Sequence, residues 1–567
     1  MNSENDDELY IVRSPRAFAV KDLKIPDVSL PELLFEGIDM NYDLIKDRIW
    51  VGDVIRGTSY KFSDIKPMSR KIASGLTRLG FKRGDVLVFA TYDVALIYII
   101  HIAVWLCGGT MRGCYQKDTK DNYVRQIRTV SSRFILCDPE TSTSIISATK
   151  ELDWDFKILS ICGEVQGAMS IEEMLEHEDG SAFPKYLKIN PKEDVLVIVN
   201  TSGSTGISKG VMQTHFSRVA YYKSIGLPKK LSNVSGSTML AMIANYLTGA
   251  YSICMTCLLQ GTTMYSISNF NPENLMEHIE KYKPDSLFLY PYAIHGFVHS
   301  ASKAKADLSF LRSIMTGGAV INYSSAKALE ALLPHVKLIQ RYGASETQTL
   351  TLSDFGDPTV TKNTEAEGVV AGIKYKKLHG SIRLTCGYLL PLVEAKILDP
   401  VSGSCVGRNV PGNLLIKTSY MMKGYSCRNH ETKEFLDKNG WFDTGDIAYF
   451  DDDGCLYVVD RSKFTFKYLM KWVSPAEVEA IILKHPDVLS VAVVGVPDPQ
   501  ITSAAKAFVV LKPESEVTEG DIKSHVAERA EVHKHLHGGV KFVDSLPVTA
   551  GGKLDRTALL KQAIADS

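Results

Sequence analysis

A loop of small and polar residues after position 200 carries the side chains best suited to chemistry. It follows the apolar run Val195–Val199, which is typical of a buried strand. Backbone N–H groups, hydroxyls and one ammonium in the loop can all face a polyphosphate, and its glycines allow close approach. We therefore predict that the loop binds phosphates through Thr201, Ser202, Gly203, Ser204, Thr205, Gly206 and Lys209.

The loop does not fit the two best-known phosphate-binding patterns. The P-loop pattern needs Gly directly before its Lys, but Ser208 occupies that position. The dinucleotide pattern Gly-x-Gly-x-x-Gly does not occur in the loop either. Because clusters of Gly, Ser and Thr are also typical of exposed linkers, the loop alone leaves a flexible linker as the alternative.

Length and composition indicate a multidomain protein with balanced charge. The 567 residues exceed what one hydrophobic core usually organises, so we expect at least two domains. Lys+Arg 64 against Asp+Glu 65 gives a formal net charge of -1, which argues against a general nucleic-acid binder. The cysteines follow no complete metal or disulfide pattern, as is usual for reduced thiols.

The sequence contains no recognisable targeting or membrane-spanning signal. Met1–Tyr10 is acidic without an apolar core, and Ala565-Asp566-Ser567 differs from the peroxisomal Ser-Lys-Leu signal. Asp93 and His101 interrupt the apolar stretch from 86 to 106, which fits a strand followed by a buried helix. We therefore expect a cytoplasmic protein without a transmembrane segment.

Helical and strand patterns alternate through most of the chain, which predicts an α/β fold of layered sheets and helices. After Asp460 a small α+β unit begins, and Ser474-Pro475-Ala476-Glu477 predicts a capping box at the start of its first helix. We predict an N-terminal extension over 1–33, a large domain over 34–459 and a small C-terminal domain over 460–567.

Four later segments accompany the loop in order: Thr316–Ala319, Gln340–Thr347, Gly440–Asp446 with Val459–Arg461, and Pro547–Arg556. Each segment is a weak signal alone, but the ordered set is specific. The set resembles the adenylate-forming (AMP-binding) superfamily, which includes acyl-CoA synthetases, coumarate–CoA ligases and insect luciferases. The resemblance covers the chain from about Leu34 to its end.

The resemblance implies a large N-terminal domain and a small mobile C-terminal domain that turns about Asp460. It also implies two reaction steps. A carboxylate attacks the α-phosphate of ATP, which gives an acyl-adenylate and pyrophosphate, and a thiol then attacks the acyl carbon. ATP, Mg²⁺ and coenzyme A are thus the implied cofactors, and a small carboxylic acid is the implied partner.

The resemblance assigns the phosphate end of ATP to ammonium, hydroxyl and carboxylate groups. Lys209 and the loop hydroxyls would hold the β- and γ-phosphates, and Glu346 would be the Mg²⁺ ligand. Ser345 would hydrogen-bond the α-phosphate, where the superfamily usually has Thr. Lys553 would bridge carboxylate and phosphate in the first step, and Lys467 would approach the site in the second.

The same resemblance assigns the nucleoside and the acid. Asp446 would accept hydrogen bonds from the ribose hydroxyls, and Arg461 would donate to them. The aromatic ring beside adenine would be that of Tyr342. Room for the base would be left by the small residues Gly317, Gly318, Ala319 and Gly343. The acid would lie against Asn245, Tyr246, Gly318 and Gly343.

Three parts of the chain depart from the superfamily pattern, and one of them is Ser208 in the loop, where Pro is common. Relatives usually have an aromatic–His or His–His pair where Asn245 and Tyr246 stand, although the Tyr246 ring and hydroxyl can still wall a pocket and reach a carboxylate. Met470 stands where the superfamily has Gly beside the pantetheine arm. We hypothesise that Met470 impairs the thioester step; the alternative is a flexible Met tolerated at the tunnel wall.

These features together predict an ATP-dependent carboxylate–CoA ligase for an aryl or medium-to-long-chain acid. Two alternatives stay open. A luciferase-like enzyme would oxidise the adenylate and emit light with luciferin. A binding protein would hold an acyl group or nucleotide and release no pyrophosphate with any acid.

Overall fold

The computed structural model describes most of the chain. The described residues are 8–15, 23–200, 209–232, 236–267, 272–354, 366–378, 381–427, 432, 435–462, 464–469, 471–549 and 554–566.

The strands are numbered in chain order. They are β1 Val12–Arg13, β2 Ile49–Asp53, β3 Ser59–Lys61, β4 Val86–Ala90, β5 Thr110–Gly113, β6 Phe134–Cys137, β7 Lys157–Ser160, β8 Met169–Ser170, β9 Val195–Asn200, β10 Gly210–Thr214, β11 Thr238–Met242, β12 Thr263–Ile267, β13 Ser286–Phe288, β14 Ser313–Gly317, β15 Lys337–Ala344, β16 Gln348–Leu352, β17 Glu367–Val370, β18 Ile373–Leu378, β19 Ser381–Leu384, β20 Tyr388–Leu389, β21 Val393–Leu398, β22 Gly412–Thr418, β23 Gly424–Tyr425, β24 Phe442–Phe450, β25 Leu456–Arg461, β26 Phe466–Tyr468, β27 Lys471–Val473, β28 Val488–Asp498, β29 Thr502–Leu511 and β30 Val540–Phe542.

The α-helices are numbered in the same way. They are α1 Leu30–Ile45, α2 Ile65–Arg78, α3 Leu96–Leu106, α4 Lys120–Val130, α5 Pro139–Thr149, α6 Ile171–His177, α7 His215–Ser224, α8 Thr248–Gln260, α9 Pro272–Tyr282, α10 Pro291–Ala304, α11 Tyr323–Leu332, α12 Pro475–Ile482, α13 Glu519–Ala527 and α14 Arg556–Ala565. Short 3₁₀ helices lie at Glu8–Tyr10, Phe62–Asp64 and Val532–Lys534.

Two large sheets form the body of the molecule. One has eight strands in the order β23-β10-β9-β5-β4-β6-β7-β8, and the other has nine in the order β20-β16-β15-β14-β13-β11-β12-β2-β3. One apolar cluster joins strands of both sheets to helices α3 and α8. Helix α3 is buried on every side, which confirms that the apolar stretch from 86 to 106 is a strand and a core helix.

A smaller antiparallel sheet and a separate C-terminal sheet follow in the chain. The five-stranded sheet runs β1-β21-β22-β24-β25, and strands β26 to β30 form the C-terminal sheet with its own apolar core. The predicted α/β fold with a large N-terminal and a small C-terminal α+β domain is confirmed by this arrangement. The sheets change between β25 and β26, and the exact boundary at Asp460 stays a prediction.

The start of α12 differs from the predicted capping box. Ser474 is the N-cap and Pro475 occupies the first turn, but the Ser474 side chain makes no capping hydrogen bond. Instead, Asp460 Oδ2 accepts from Ser474 Oγ at 2.8 Å and from the Ala476 N–H at 3.1 Å. Glu477 forms an ion pair with Arg383 at 2.9 Å and does not complete a capping box. The helix is therefore capped by Asp460, which lies in β25.

Among the described residues, no helix combines the length and the apolar character that crossing a lipid bilayer requires.

The turn between β15 and β16 requires glycine at position 343. The two strands are antiparallel, with an irregularity between Tyr342 and Gly343, and Gln348 adopts a φ of 57°. A Cβ atom on Gly343 would lie 1.9 Å from the Gln348 carbonyl oxygen. The three nearest atoms all belong to the backbone of Gln348 and Thr349, so only a shift of the chain can relieve the clash.

We predict that Gly343→Ala lowers the free energy of unfolding by about 3 kcal/mol, the upper end of typical overpacking costs. Thermal or urea unfolding measures the change. The matched control is Gly296→Ala in α10, where an added Cβ meets no atom within 4 Å and the helix favours alanine. Equal stability of the two variants would contradict the close approach at Gly343.

Candidate functional site

Tyr342, Asp446 and Arg461 form a connected group at the end of β15. Strands β24 and β25 pair so that Asp446 lies opposite Arg461. The Tyr342 hydroxyl donates to Asp446 Oδ2 at 2.6 Å, and Arg461 Nε lies 2.8 Å from Asp446 Oδ1. Burial and the Asp446 carboxylate raise the pKa of Tyr342 well above its usual value, so the hydroxyl stays a donor.

Glu346 and Lys209 meet through an aromatic pair. Strand β10 pairs with β23, with Val211 opposite Tyr425. The Tyr425 hydroxyl donates to Glu346 Oε1 at 2.8 Å. The Lys209 ammonium lies 5.0 Å from the centre of the Tyr425 ring and 4.7 Å from that of Phe435, within the range of cation–π attraction. A cation and a carboxylate thus contact the same tyrosine.

Ser345 is held by groups that lie far from it in the sequence. Its carbonyl oxygen accepts from Gln213 Nε2 at 2.7 Å. Thr248 Oγ1 donates to Ser345 Oγ over 3.4 Å, a long hydrogen bond. The next carbonyl, that of Glu346, accepts from the Met422 N–H at 2.8 Å. The backbone of Ser345 and Glu346 is therefore held by a hydrogen bond at each of the two carbonyls.

The segment Gly317–Ala319 lies beside this group because β14 and β15 are parallel neighbours. Gly317 pairs with Arg341, and a Cβ atom on Gly317 would lie 3.1 Å from the Arg341 carbonyl oxygen. Gly318 has a φ of 85°, which favours glycine, and Gly318 and Ala319 are exposed. Ligands of open α/β sheets commonly bind at such carboxyl ends of parallel strands.

Asn245 serves as an internal support. Its side-chain amide donates to the carbonyls of Thr91 at 2.8 Å and Asp93 at 2.6 Å. Its Oδ1 accepts from Gln116 Nε2 at 3.1 Å, and the residue is 2% exposed. These bonds tie the end of β4 to the start of the segment that leads to α8, directly before Tyr246.

Tyr246 packs in an aromatic corner with little free space behind it. Its ring meets the Tyr115 ring edge-on at 5.7 Å, and Gly113 lies so close that a Cβ there would be 2.8 Å from Tyr246 Cα. The cavity next to it measures only about 10 Å³. Its walls are Phe89, His101, Met111, Gly113, Val197, Ile198, Val199, Asn245, Tyr246 and Tyr251.

Several predicted site residues cannot be placed. Thr201–Gly206, Met470 and Lys553 lie outside the described residues. Lys467 lies in β26, where its backbone pairs with that of Trp472. The structure therefore brings Lys209, Tyr342, Gly343, Ser345, Glu346, Asp446 and Arg461 into one region beside Gly317–Ala319, and it leaves the loop and Lys553 to prediction.

Sequence reasoning missed Tyr425, Phe435 and Gln213. Tyr425 follows Gly424 in a short strand that gives no pattern of its own, and only the pairing of β23 with β10 reveals its position. Gln213 is the residue before the last one of β10, and its side chain reaches Ser345, 132 positions later in the sequence. A local pattern cannot signal such contacts.

Comparison with known proteins identifies two family profiles in the chain. The profile of the AMP-binding enzyme family matches residues 46–426, and that of the AMP-binding enzyme C-terminal domain matches residues 477–553. The 4-coumarate–CoA ligase-like 1 protein of Arabidopsis thaliana is 28% identical over 98% of this chain and 98% of its own. Luciferin 4-monooxygenase of Photuris pensylvanica is 26% identical over 88% of this chain and 89% of its own.

Solved structures share the fold. ATP-bound MatB from Rhodopseudomonas palustris matches with a TM-score of 0.80 and 20% identity, over 95% of this chain and 99% of its own. The anthranilate CoA ligase AuaEII with anthranoyl-AMP matches with a TM-score of 0.79 and 21% identity, over 96% and 99%. The family profile spans more than half of the chain, so the resemblance read from the motifs is confirmed. The chain belongs to the AMP-binding enzyme family of the adenylate-forming superfamily.

Proposed function

We propose that the protein is an ATP-dependent acid–thiol ligase that forms an acyl-adenylate and then an acyl-CoA. The observation that carries the proposal is the meeting of Lys209, Glu346, Ser345 and the Asp446–Arg461 pair at the carboxyl ends of β14 and β15. Coenzyme A ligases among the relatives support the same reaction.

The phosphate end of ATP fits the Lys209–Glu346 side of the site. Attack by one anion on another needs cations and donors around the developing charge, and Lys209 and the Ser345 hydroxyl supply these. No group of three or more His, Cys, Asp or Glu side chains is placed to hold a metal among the described residues. A single carboxylate such as Glu346 still suits Mg²⁺, which usually takes its other ligands from phosphates and water. When bound there, Mg²⁺ supplies charge neutralisation.

The nucleoside end fits the Tyr342–Asp446 side. Asp446 accepts from Tyr342 and pairs with Arg461, and because a carboxylate accepts several hydrogen bonds at once, we assign the ribose hydroxyls to it. Gly318 and Ala319 are exposed where β14 ends beside Tyr342, and we assign adenine to this place. By the superfamily pattern, Thr201–Gly206 would hold the outer phosphates, and Lys553 and Lys467 would act in the first and second steps.

The aromatic side chains around Tyr246 suit an aryl acid, and a medium- or long-chain acid is the alternative. We assign the acid to the side of the site bordered by Asn245, Tyr246, Gly318 and Gly343; the Asn245 amide there is bonded to the Thr91 carbonyl. The cavity of about 10 Å³ behind Tyr246 holds no more than one water molecule, so we place the acid on the other side of the ring. The rings of Tyr115 and Tyr246 offer faces and edges for a flat substrate.

The cytoplasmic location stays a prediction. The peroxisomal OPC-8:0-CoA ligase 1 of Arabidopsis thaliana, 28% identical over 92% of each chain, makes the peroxisome the alternative.

The function is tested by acid-dependent exchange of labelled pyrophosphate into ATP, across aryl, medium-chain and long-chain acids. We expect exchange with aryl acids, and exchange with medium- or long-chain acids instead would identify an aliphatic acyl substrate. Added coenzyme A should then convert the adenylate to a thioester. Light emission with luciferin would favour the luciferase alternative, and tight ATP binding without exchange with any acid would favour the binding-protein alternative.

We predict that Glu346→Gln lowers kcat/KM for adenylation by about a hundredfold. The neutral amide is a weaker ligand of Mg²⁺ than the carboxylate. Pyrophosphate release at several Mg²⁺ concentrations measures the effect. The control Tyr425→Phe removes only the hydroxyl that bonds Glu346 Oε1 and should cost less than about tenfold. A Glu346→Gln variant with unchanged Mg²⁺ dependence would argue against the metal role.

We predict that Met470→Gly raises the rate of thioester formation and leaves adenylation unchanged, because glycine would widen the path of the pantetheine arm. Single-turnover transfer from preformed adenylate to coenzyme A measures the second step alone. Met470→Leu keeps a side chain of similar volume and serves as the control. Equal transfer rates in all three proteins would mean that Met470 is simply tolerated.

A further inference from the structure

A buried polar cluster lies behind Ser345, on the side away from solvent. It consists of Gln213 at the end of β10, Arg218 in α7 and Tyr251 in α8, which are 0%, 0% and 2% exposed. Gln213 Oε1 accepts from Arg218 Nε at 2.9 Å and from the Tyr251 hydroxyl. Arg218 also donates to Ser252 Oγ at 3.1 Å and to the Tyr251 hydroxyl.

These contacts fix the orientation of the Gln213 amide. Both donors face its oxygen, so its NH₂ group must point the other way. There it donates to the Ser345 carbonyl at 2.7 Å. A flipped amide would place its NH₂ against two donors and its oxygen against a carbonyl, which costs several hydrogen bonds at once.

Arg218 carries a charge that the described part of the chain does not neutralise. Its hydrogen-bond partners there are the neutral groups of Gln213, Tyr251 and Ser252, and the Tyr251 ring lies 4.4 Å from the guanidinium carbon. No carboxylate forms an ion pair with it among the described residues. A buried cation is costly without an opposing charge, and in a low-dielectric interior its field acts over a longer distance.

The cluster faces the point where the α-phosphate would lie. Ser345 is the residue assigned to that phosphate, and its carbonyl is one hydrogen bond from Gln213 and two from Arg218. The neighbouring Glu346 carbonyl accepts from the Met422 N–H. Removal of the Gln213 bond would therefore free the backbone at Ser345. Ser345 and Glu346 are the residues assigned to the α-phosphate and to Mg²⁺.

We propose that Gln213 is a positioning residue for adenylation, which holds the Ser345–Glu346 peptide in its reactive place, and that Arg218 orients Gln213 and adds positive potential behind the α-phosphate. The proposal rests on the proposed adenylation function and deepens it. Positioning errors on the order of 1 Å can cost about a hundredfold in rate.

Substitution of Gln213 by Glu separates positioning from stability. The carboxylate keeps the shape and accepts from Arg218 and Tyr251, but when ionised it has no hydrogen to donate to the Ser345 carbonyl. Gln213→Leu removes both functions and leaves buried donors unpaired, so it should also unfold more easily. Ser252→Ala is the matched control, because it removes a partner of Arg218 and leaves the bond from Gln213 to Ser345 in place.

We expect Gln213→Glu to unfold near the wild-type temperature and to lose about tenfold to a hundredfold in kcat for pyrophosphate release. Its KM for ATP should change by less than about threefold, because the lost interaction acts mainly in the transition state. Ser252→Ala should keep most of kcat. A Gln213→Glu enzyme with wild-type kcat would overturn the proposal, as would a loss in Gln213→Leu alone.

Hydrogen–deuterium exchange gives a second readout that does not need turnover. In Gln213→Glu, backbone amides around 345–347 should exchange faster than in the wild-type protein, and those of α7 should not. If the wild-type protein shows no acid-dependent pyrophosphate release, the proposed function fails while this comparison still decides the positioning. Unchanged exchange at 345–347 in Gln213→Glu would overturn the role of Gln213.

Discussion

The close approach of backbone at Gly343 is the constraint on which the candidate site depends. It lets β15 turn sharply into β16, with the Gln348 carbonyl in the space that a side chain would fill. Three residues that are distant from the turn in sequence form hydrogen bonds to it: Gln213, Met422 and Tyr425. A shift of this turn would displace Ser345 and Glu346 together.

Tyrosine hydroxyls orient both carboxylates of the site. Tyr425 donates to Glu346 and Tyr342 donates to Asp446, and in each case the bond goes to one oxygen of the carboxylate. A neutral donor fixes the side chain without cancelling its negative charge. Asp446 also pairs with Arg461, whereas Glu346 lies near Lys209 through the shared Tyr425 ring. This difference suits a ribose contact at one carboxylate and a metal contact at the other.

Local patterns predicted the parts of the molecule that local physics determines. The apolar run Val195–Val199 is β9, and the stretch from 86 to 106 is β4 and α3. The capping box at Ser474 was wrong because Asp460, fourteen residues earlier, takes the same helix terminus. A sequence pattern shows which groups can cap a helix, but tertiary contacts decide which group does so.

The long-range contacts of the site lay beyond prediction for the same reason. Asn245 was expected to border a substrate, yet its amide is bonded to loop carbonyls and Gln116. Gln213 and Arg218 gave no signal, because a polar residue in a strand or helix most often faces solvent. Only strand pairing and helix packing bring them behind Ser345.

The most direct test of the account is a crystal structure of the protein with Mg-ATP bound. The account predicts ribose hydroxyls within hydrogen-bond distance of Asp446, adenine beside Tyr342 and Gly317–Ala319, and an α-phosphate oxygen at the Ser345 hydroxyl. It also predicts a metal ion with Glu346 among its ligands. Nucleotide bound elsewhere, or bound with neither Asp446 nor Glu346 in contact, would contradict it.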